Sequence, residues 1–266
     1  MSKNLFLFIS DFFLSLKKWR VFLYLGKQDV RSRYQRTMLG LLWPFMTITV
    51  WVIGVGMIYG SLFEQNLSSF LPYLTLGFVL WGFISNSIVD GCSSYMSSAG
   101  YIKQFSFPST VYVFRTFISC AFNLLITLPV AFFILVFFRI DMGIQTLWVI
   151  PGLVLVFFAT FGHVLLFANL TLYFKDIPHL VGAGLQLIFF VTPIIFTVEM
   201  LKDKGLDFIY KFNPFFYLIE IVRYPLLNNR HCSIDHYLVC AAYIMAVMAL
   251  AFVVATITKP KLVYKL

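Results

Sequence analysis

Apolar stretches at 39–59, 72–95, 111–138, 147–173, 180–198 and 237–258 are separated by short intervals that hold most of the polar and charged positions. Each stretch is near or above the roughly 20 residues a helix needs to cross a bilayer. The pattern predicts an all-α membrane protein with six transmembrane helices. Six crossings put both termini on one side. One further apolar run, NPFFYLIEIVRYPLL at 213–227, is too short to span and too apolar for an ordinary loop. Asn213-Pro214 reads as a helix start, and Leu218, Ile221, Val222 and Leu226 follow helical spacing until Pro225 disturbs the end. A short re-entrant helical segment is expected there, before the last span.

Ahead of the first span, GKQDVRSRYQRTMLGLLWP at 26–44 joins a basic cluster to apolar sequence with no turn signal between them. In a helix Lys27 and Arg31 lie four apart on the polar side, where Asp29 and Arg33 pair likewise. Leu23, Val30, Tyr34 and Met38 fall near the opposite side. This predicts an N-terminal amphipathic interfacial helix that enters the first span. The whole chain, 1–266, then reads as a single transmembrane domain: an interfacial region at 1–38, a six-helix bundle at 39–258 and a tail at 259–266.

Charge fixes the orientation. The N-terminal cluster, Lys103, Lys175, Lys259, Lys261 and Lys265 fall on one side of a six-span chain. Arg139, Lys202, Lys204, Lys211, Arg223 and Arg230 fall on the other, diluted by acids such as Glu64, Asp141, Glu199 and Asp235. Cations are held on the cytoplasmic side, so both termini are expected to be cytoplasmic. Composition agrees with a membrane assignment, because 61% hydrophobic and 12% charged residues leave too little polar surface for a soluble globule of 266 residues. The net charge of +9 is distributed along the chain by topology, so no nucleic-acid partner is expected. Cys92, Cys120, Cys232 and Cys240 show no paired spacing, which indicates neither a disulfide framework nor zinc. The apolar run at 5–13 contains Asp11 and lacks a small-residue cleavage site after it, so it is expected to stay in the mature chain.

No GxxxxGK[ST] phosphate loop occurs, so the chain does not hydrolyse ATP by that route. Ionisable residues inside spans are few. Asp90 and Arg115 sit toward cytoplasmic span ends and are expected to reach the interface, while His163 is expected to pack between helices with one hydrogen bond. His231, Cys232 and His236 lie close together, but as ordinary loop chemistry and not as a metal set. No convergent acid, base or nucleophile is found, so no catalytic residue is assigned. Gly56-x-x-x-Gly60 matches the spacing of close helix contacts. Trp43 and Trp148 fit an interfacial belt, whereas Trp51 and Trp81 lie inside the slab, where belt duty does not explain them.

The run DVRSRYQRTMLGLLWPF at 29–45 resembles the entry motif of the permease subunits of type-2 ABC polysaccharide exporters, the O-antigen, capsule and teichoic-acid export family. YLTLGFVLWGF at 73–83, YIKQFSFPS at 101–109, the Lys175-Asp176 pair and TPIIF at 192–196 follow in family order. The resemblance is strongest to O-antigen exporters. It implies a homodimer joined to two copies of an ABC ATPase, moving a lipid-linked polysaccharide across the bacterial inner membrane among its lipids. No cofactor is then expected on this chain, because ATP and Mg are bound by the partner. By the same resemblance Asp29, Arg31, Arg33, Tyr34, Arg36, Tyr101 and Lys103 are expected at the ATPase interface or the lipid carrier. Trp51 and Trp81 are expected in a glycan channel, and Asn213, Pro214, Glu220 and Arg223 at an external gate. The alternatives are a type-2 exporter of drugs or small lipids, an ion-coupled secondary transporter and a membrane-embedded glycan-modifying enzyme.

Overall fold

The computed structural model describes residues 2–35 and 37–266, which are predominantly helical. Two helices precede the first span: α1 (Ser2–Lys17) and α2 (Trp19–Tyr34). The bundle follows as α3 (Leu42–Leu62), α4 (Leu67–Ser97), the short α5 (Ala99–Gln104), α6 (Thr110–Phe137), α7 (Val149–Thr171) and α8 (Ile177–Val191). Three connecting helices, α9 (Val198–Asp203), α10 (Phe208–Lys211) and α11 (Pro214–Asn228), lead to α12 (Ile234–Thr258) and the terminal α13 (Leu262–Lys265).

Among the described residues five helical stretches are long and apolar enough to cross a membrane: Leu42–Leu62, Leu67–Gln104, Thr110–Phe137, Ile144–Thr171 and Ile234–Lys261. The stretch expected at 180–198 forms the 15-residue α8, about 22 Å long at 1.5 Å per residue. Its end has a local cause. Thr192 precedes Pro193, whose ring disfavours helical backbone in the residue before it, and Thr192 is extended at ψ 131. Beyond this break the Pro193 carbonyl accepts from Tyr73 Oη at 3.1 Å, near the start of α4. α8 therefore runs from the end of the bundle where α7 stops to the end where α4 begins.

The entry region differs from a single continuous helix. α2 ends at Tyr34, turns occupy 37–41, and α3 begins at Leu42. Met38, expected on the apolar side, is fully exposed as a result. α2 lies along α6 instead, with Val30 buried and Phe22 stacked on Phe114 at 4.9 Å between ring centroids. Phe114 stacks in turn on Phe161 of α7 at 4.9 Å. The contact needs a glycine, because a Cβ at Gly26 would lie 2.8 Å from Ile118 Cγ2 and 2.9 Å from the Arg115 carbonyl.

α1 closes the same end. The carboxylate of Asp11 accepts from Ser109 N at 3.0 Å and Thr110 N at 2.9 Å, where it caps α6, and it also pairs with Lys259. Burial pushes the Asp11 carboxyl up, but Lys259 and the Thr110 donors outweigh it and hold the group below the usual carboxylate range. α1, the start of α6 and the end of α12 thus meet at one end of the bundle.

Between helices in lipid, association rests on close packing and hydrogen bonds more than on a hydrophobic drive. Gly56 and Gly60 serve that packing inside the chain: a Cβ at either would run into Leu71 at 2.2 Å or Leu67 at 2.6 Å, both on α4. His163 of α7 is buried and bonds Tyr243 of α12 through Nε2 at 2.7 Å, as its mid-span position predicts. All four cysteines are free and buried.

Candidate functional site

Two cavities follow one another along the bundle from the end where α2 docks. The first, about 380 Å³, is a polar cleft between α2, α4 and α6. Its charges form two cross-helix pairs. Asp29 of α2 receives Arg115 of α6 in a fork, with Nε at 2.6 Å and Nη2 at 2.5 Å. Arg33 of α2 reaches Asp90 of α4 at 3.1 Å. The i,i+4 pairing expected between Asp29 and Arg33 is thus replaced: each side chain finds its counter-charge on a different span. Asp90 and Arg115 engage the entry helix instead of simply reaching the interface. A fork of this kind is a charge-assisted, bidentate contact that fixes orientation as well as distance.

Arg115 carries the fork further. Its Nη1 donates to Ser98 Oγ at 3.2 Å, and its guanidinium lies 5.3 Å from the centroid of the Tyr101 ring. The structure therefore brings Asp29 and Tyr101 together through a residue that sequence reasoning left out of the site. Arg31 and Lys103 are exposed and line neither cavity. Arg36 lies outside the described residues.

The second cavity, about 550 Å³, lies between α3, α4, α6 and α8. Trp51 and Trp81 both line it, together with Tyr34, Trp43, Phe78 and Phe189. Their settings differ. Trp81 is 8% exposed and packs on Phe189 and Phe215, while Trp51 is 57% exposed and touches one ring, Phe78, at 6.2 Å between centroids. Arg33 lines both cavities and so connects the cleft to the aromatic chamber.

At the opposite end a third cavity, about 1060 Å³, is lined by Glu220 and Arg223 of the residues expected at an external gate, and not by Asn213 or Pro214. Arg223 is fully buried, pairs with Glu220 through Nη2 at 2.6 Å and Nε at 3.0 Å, and donates to the Pro193 carbonyl at 2.9 Å. Its guanidinium sits 3.7 Å from the Tyr73 ring centroid. Asn213 caps α11 by accepting from Phe215 N at 3.0 Å, with Pro214 in the first turn, and donates to Thr192 Oγ1 at 2.8 Å. Asn213 and Arg223 thus both grip the break after α8. The helix passes through Pro225 and ends only at Asn229, whose backbone is left-handed at φ 48, so Pro225 does not terminate it. Tyr73 was not legible as a partner of Arg223, because nothing in the sequence links positions that far apart. Of the loop trio, His236 bonds Ser233 Oγ, Cys232 contacts the Glu220 carbonyl and His231 lies against Trp148. Among the described residues no group of three or more His, Cys, Asp or Glu has the geometry to hold a metal.

The O-antigen export system permease protein RfbA of Klebsiella pneumoniae is 26% identical over 84% of this chain and 87% of its own length. A second Klebsiella pneumoniae protein of that name is 26% identical over 79% of this chain and 83% of its own length. A Myxococcus xanthus protein of the same name is 24% identical over 68% of this chain and 70% of its own. The family model described as ABC-2 type transporter matches residues 20–227, which include the entry helix, both cavities and the segment around Arg223, and the chain accordingly belongs to the ABC-2 type transporter family.

Proposed function

We propose that this chain, a multi-pass membrane subunit of a type-2 ABC exporter, moves lipid-linked O-antigen polysaccharide across the bacterial inner membrane. The observation that carries the cargo is the aromatic chamber, since Trp51, Trp81, Phe78 and Phe189 offer flat faces to sugar rings. The names of the RfbA relatives agree with it. ATP and Mg belong to a separate ABC ATPase subunit, because the chain carries no phosphate loop.

The partner contacts the exposed Arg31 of α2 and the segment made by α5 and the loop after it, where Lys103 is exposed and Tyr101, Phe105 and Phe107 are 43%, 50% and 38% exposed. Arg36 is assigned to the same contact from its sequence motif alone. A six-span topology with both termini cytoplasmic, one domain over 1–266, is supported by the Asp11–Lys259 contact, which joins the two ends of the chain. It is supported equally by α8, whose far end lies beside Tyr73. A homodimer is supported by α3, of whose 18-residue apolar window only 17% is buried, and by Gly54, Gly182 and Gly184, where an added Cβ would meet no neighbouring atom within 4 Å. The α11 segment is the external gate, with Glu220 and Arg223 as its hinge to the break after α8.

Deleting the gene should remove surface O-antigen and leave lipid-linked glycan inside. The wild-type chain should restore export, and Trp51→Leu should restore it only partly, with long chains reduced roughly tenfold. Normal surface O-antigen in the deletion strain would overturn the cargo.

A further inference from the structure

One row of polar side chains on α6 runs from the polar cleft into the aromatic chamber. Thr116, Ser119, Asn123 and Thr127 follow one another at spacings of three, four and four, which places them on one face of the helix over about 16 Å. Thr116 and Ser119 line the cleft, and Asn123 and Thr127 line the chamber. The Thr116 hydroxyl donates to Ser94 Oγ at 2.9 Å, with the Tyr112 carbonyl at 3.2 Å, the Thr127 hydroxyl donates to the Leu124 carbonyl at 2.9 Å, and both keep accepting capacity. Two members hold atoms with no partner among the described residues: Ser119 Oγ, on a residue 3% exposed, and Asn123 Oδ1, both buried. Leaving buried polar atoms unpaired is costly, and in an apolar span an alanine or leucine would avoid the cost.

The charges around this row restrict what it can meet. Both guanidiniums in the cleft, Arg33 and Arg115, already face a carboxylate, Asp90 and Asp29. Among the described residues that line the cleft the four charges sum to zero, so an entering phosphate finds no unpaired cation there and meets two acids. What the cleft does offer is carboxylate acceptors, guanidinium donors and hydroxyls that serve as either. That set complements the vicinal hydroxyls of a sugar ring, and the two cavities fall within the roughly 300–1,000 Å³ of small-molecule sites. Trp51 and Trp81 line the same chamber as Asn123 and Thr127.

We infer that the α6 row Thr116–Ser119–Asn123–Thr127 is a rail that hydrogen-bonds the hydroxyls of neutral sugar units as they pass from the cleft to the aromatic chamber. This rests on the polysaccharide-export reading and names the part of the pathway that reads hydroxyls. The carrier's pyrophosphate is not the group held there.

The test uses the exporter assembled with its ATPase subunit and two probes: phosphate-free polysaccharide released by mild acid from the host's lipopolysaccharide, and inorganic pyrophosphate. The variant is Ser119→Ala with Asn123→Leu. Neither Ser119 Oγ nor Asn123 Oδ1 has a partner among the described residues, so the double variant should assemble and melt no lower than wild type while binding the polysaccharide roughly tenfold more weakly. Pyrophosphate should not compete. A lowered melting temperature with unchanged binding would show the row to be structural. Pyrophosphate that displaced the polysaccharide in wild type but not in the variant would make it an anion site. Either result overturns the rail. If wild type binds the polysaccharide and displays surface O-antigen and the variant matches it in both, the rail fails while the export function stands. If wild type neither binds it nor displays surface O-antigen, both fail.

Discussion

The two ends of this bundle hold the same ion-pair chemistry in opposite settings. At the α11 end Arg223 and Glu220 are three residues apart, with side chains 0% and 13% exposed. At the α2 end Arg33 and Asp90 are 57 residues apart and 46% and 25% exposed, while Arg115 and Asp29 are 86 apart and 12% and 28% exposed. The first pair is local and sealed, and its guanidinium also holds the Pro193 carbonyl and the Tyr73 ring. The others are long-range and open to a cleft, and they tie α2 to α4 and α6. Sealed charges cannot be relinquished without stranding a buried ion, whereas half-wet pairs can exchange with water at small cost. The break after α8 is therefore fixed by its arginine, and the entry helix is fastened by contacts that can loosen.

Removing the sealed arginine is the most severe way to break this contrast. Arg223→Leu leaves Glu220 without a counter-charge and takes away one of the two donors to the Pro193 carbonyl, and should cost about 3–5 kcal/mol. Fluorescence-detected gel filtration after a temperature ramp should show loss of the monodisperse protein. Replacing both partners together, Arg223→Leu with Glu220→Leu, should be milder than the single change, because no lone charge stays buried. A single variant as stable as wild type would remove the distinction between the two ends.

The fork at the other end should give a smaller and reversible effect. Arg115→Ala removes charge-assisted bonds worth about 1.5–3 kcal/mol and frees α2 from α6 without emptying the core. Trypsin should then cut faster at the exposed Lys27. Exchanging the charges, Asp29→Arg with Arg115→Asp, should restore part of the protection. Cleavage at the wild-type rate in Arg115→Ala would mean that Phe22, Val30 and the Gly26 contact hold α2 by themselves.

How far such features can be read from sequence depends on whether their cause is local. Apolar length places α3, α4, α6, α7 and α12 to within a few residues, since a span must cover the bilayer whatever its neighbours do. Asn213-Pro214 places the start of α11 because a cap and its proline are adjacent in the chain. The end of α8 was legible in principle from Thr192-Pro193, but the apolar run continues past it and hides the break. Pairings were not legible. Asp29 has Arg33 four residues on, and only the tertiary fold shows that Arg115 and Asp90 compete more favourably for the two charges. The aromatic chamber was half legible: depth marked Trp51 and Trp81, whereas the rings and the α6 row facing them arrive from other spans.

The smallest expected effect separates two arginines that the sequence presents alike. Arg31 and Arg33 are two residues apart on one basic helix, yet Arg33 lines both cavities and reaches Asp90, while Arg31 is exposed and lines neither. An exposed charge contributes little to stability, so Arg31→Gln should shift the melt by no more than about 0.5 kcal/mol. Arg33→Gln loses a half-exposed pair and should cost at most about 1 kcal/mol. Their functional consequences should differ in kind: Arg31→Gln should weaken recovery of the ATPase subunit on co-purification several-fold, because its charge faces outward. Arg33→Gln should co-purify normally and export long glycans more slowly, because it changes the wall shared by the cleft and the chamber. Identical co-purification and export in the two variants would mean that the basic cluster acts as one undivided patch, and that the turn of α2 which aims Arg33 inward has no functional meaning.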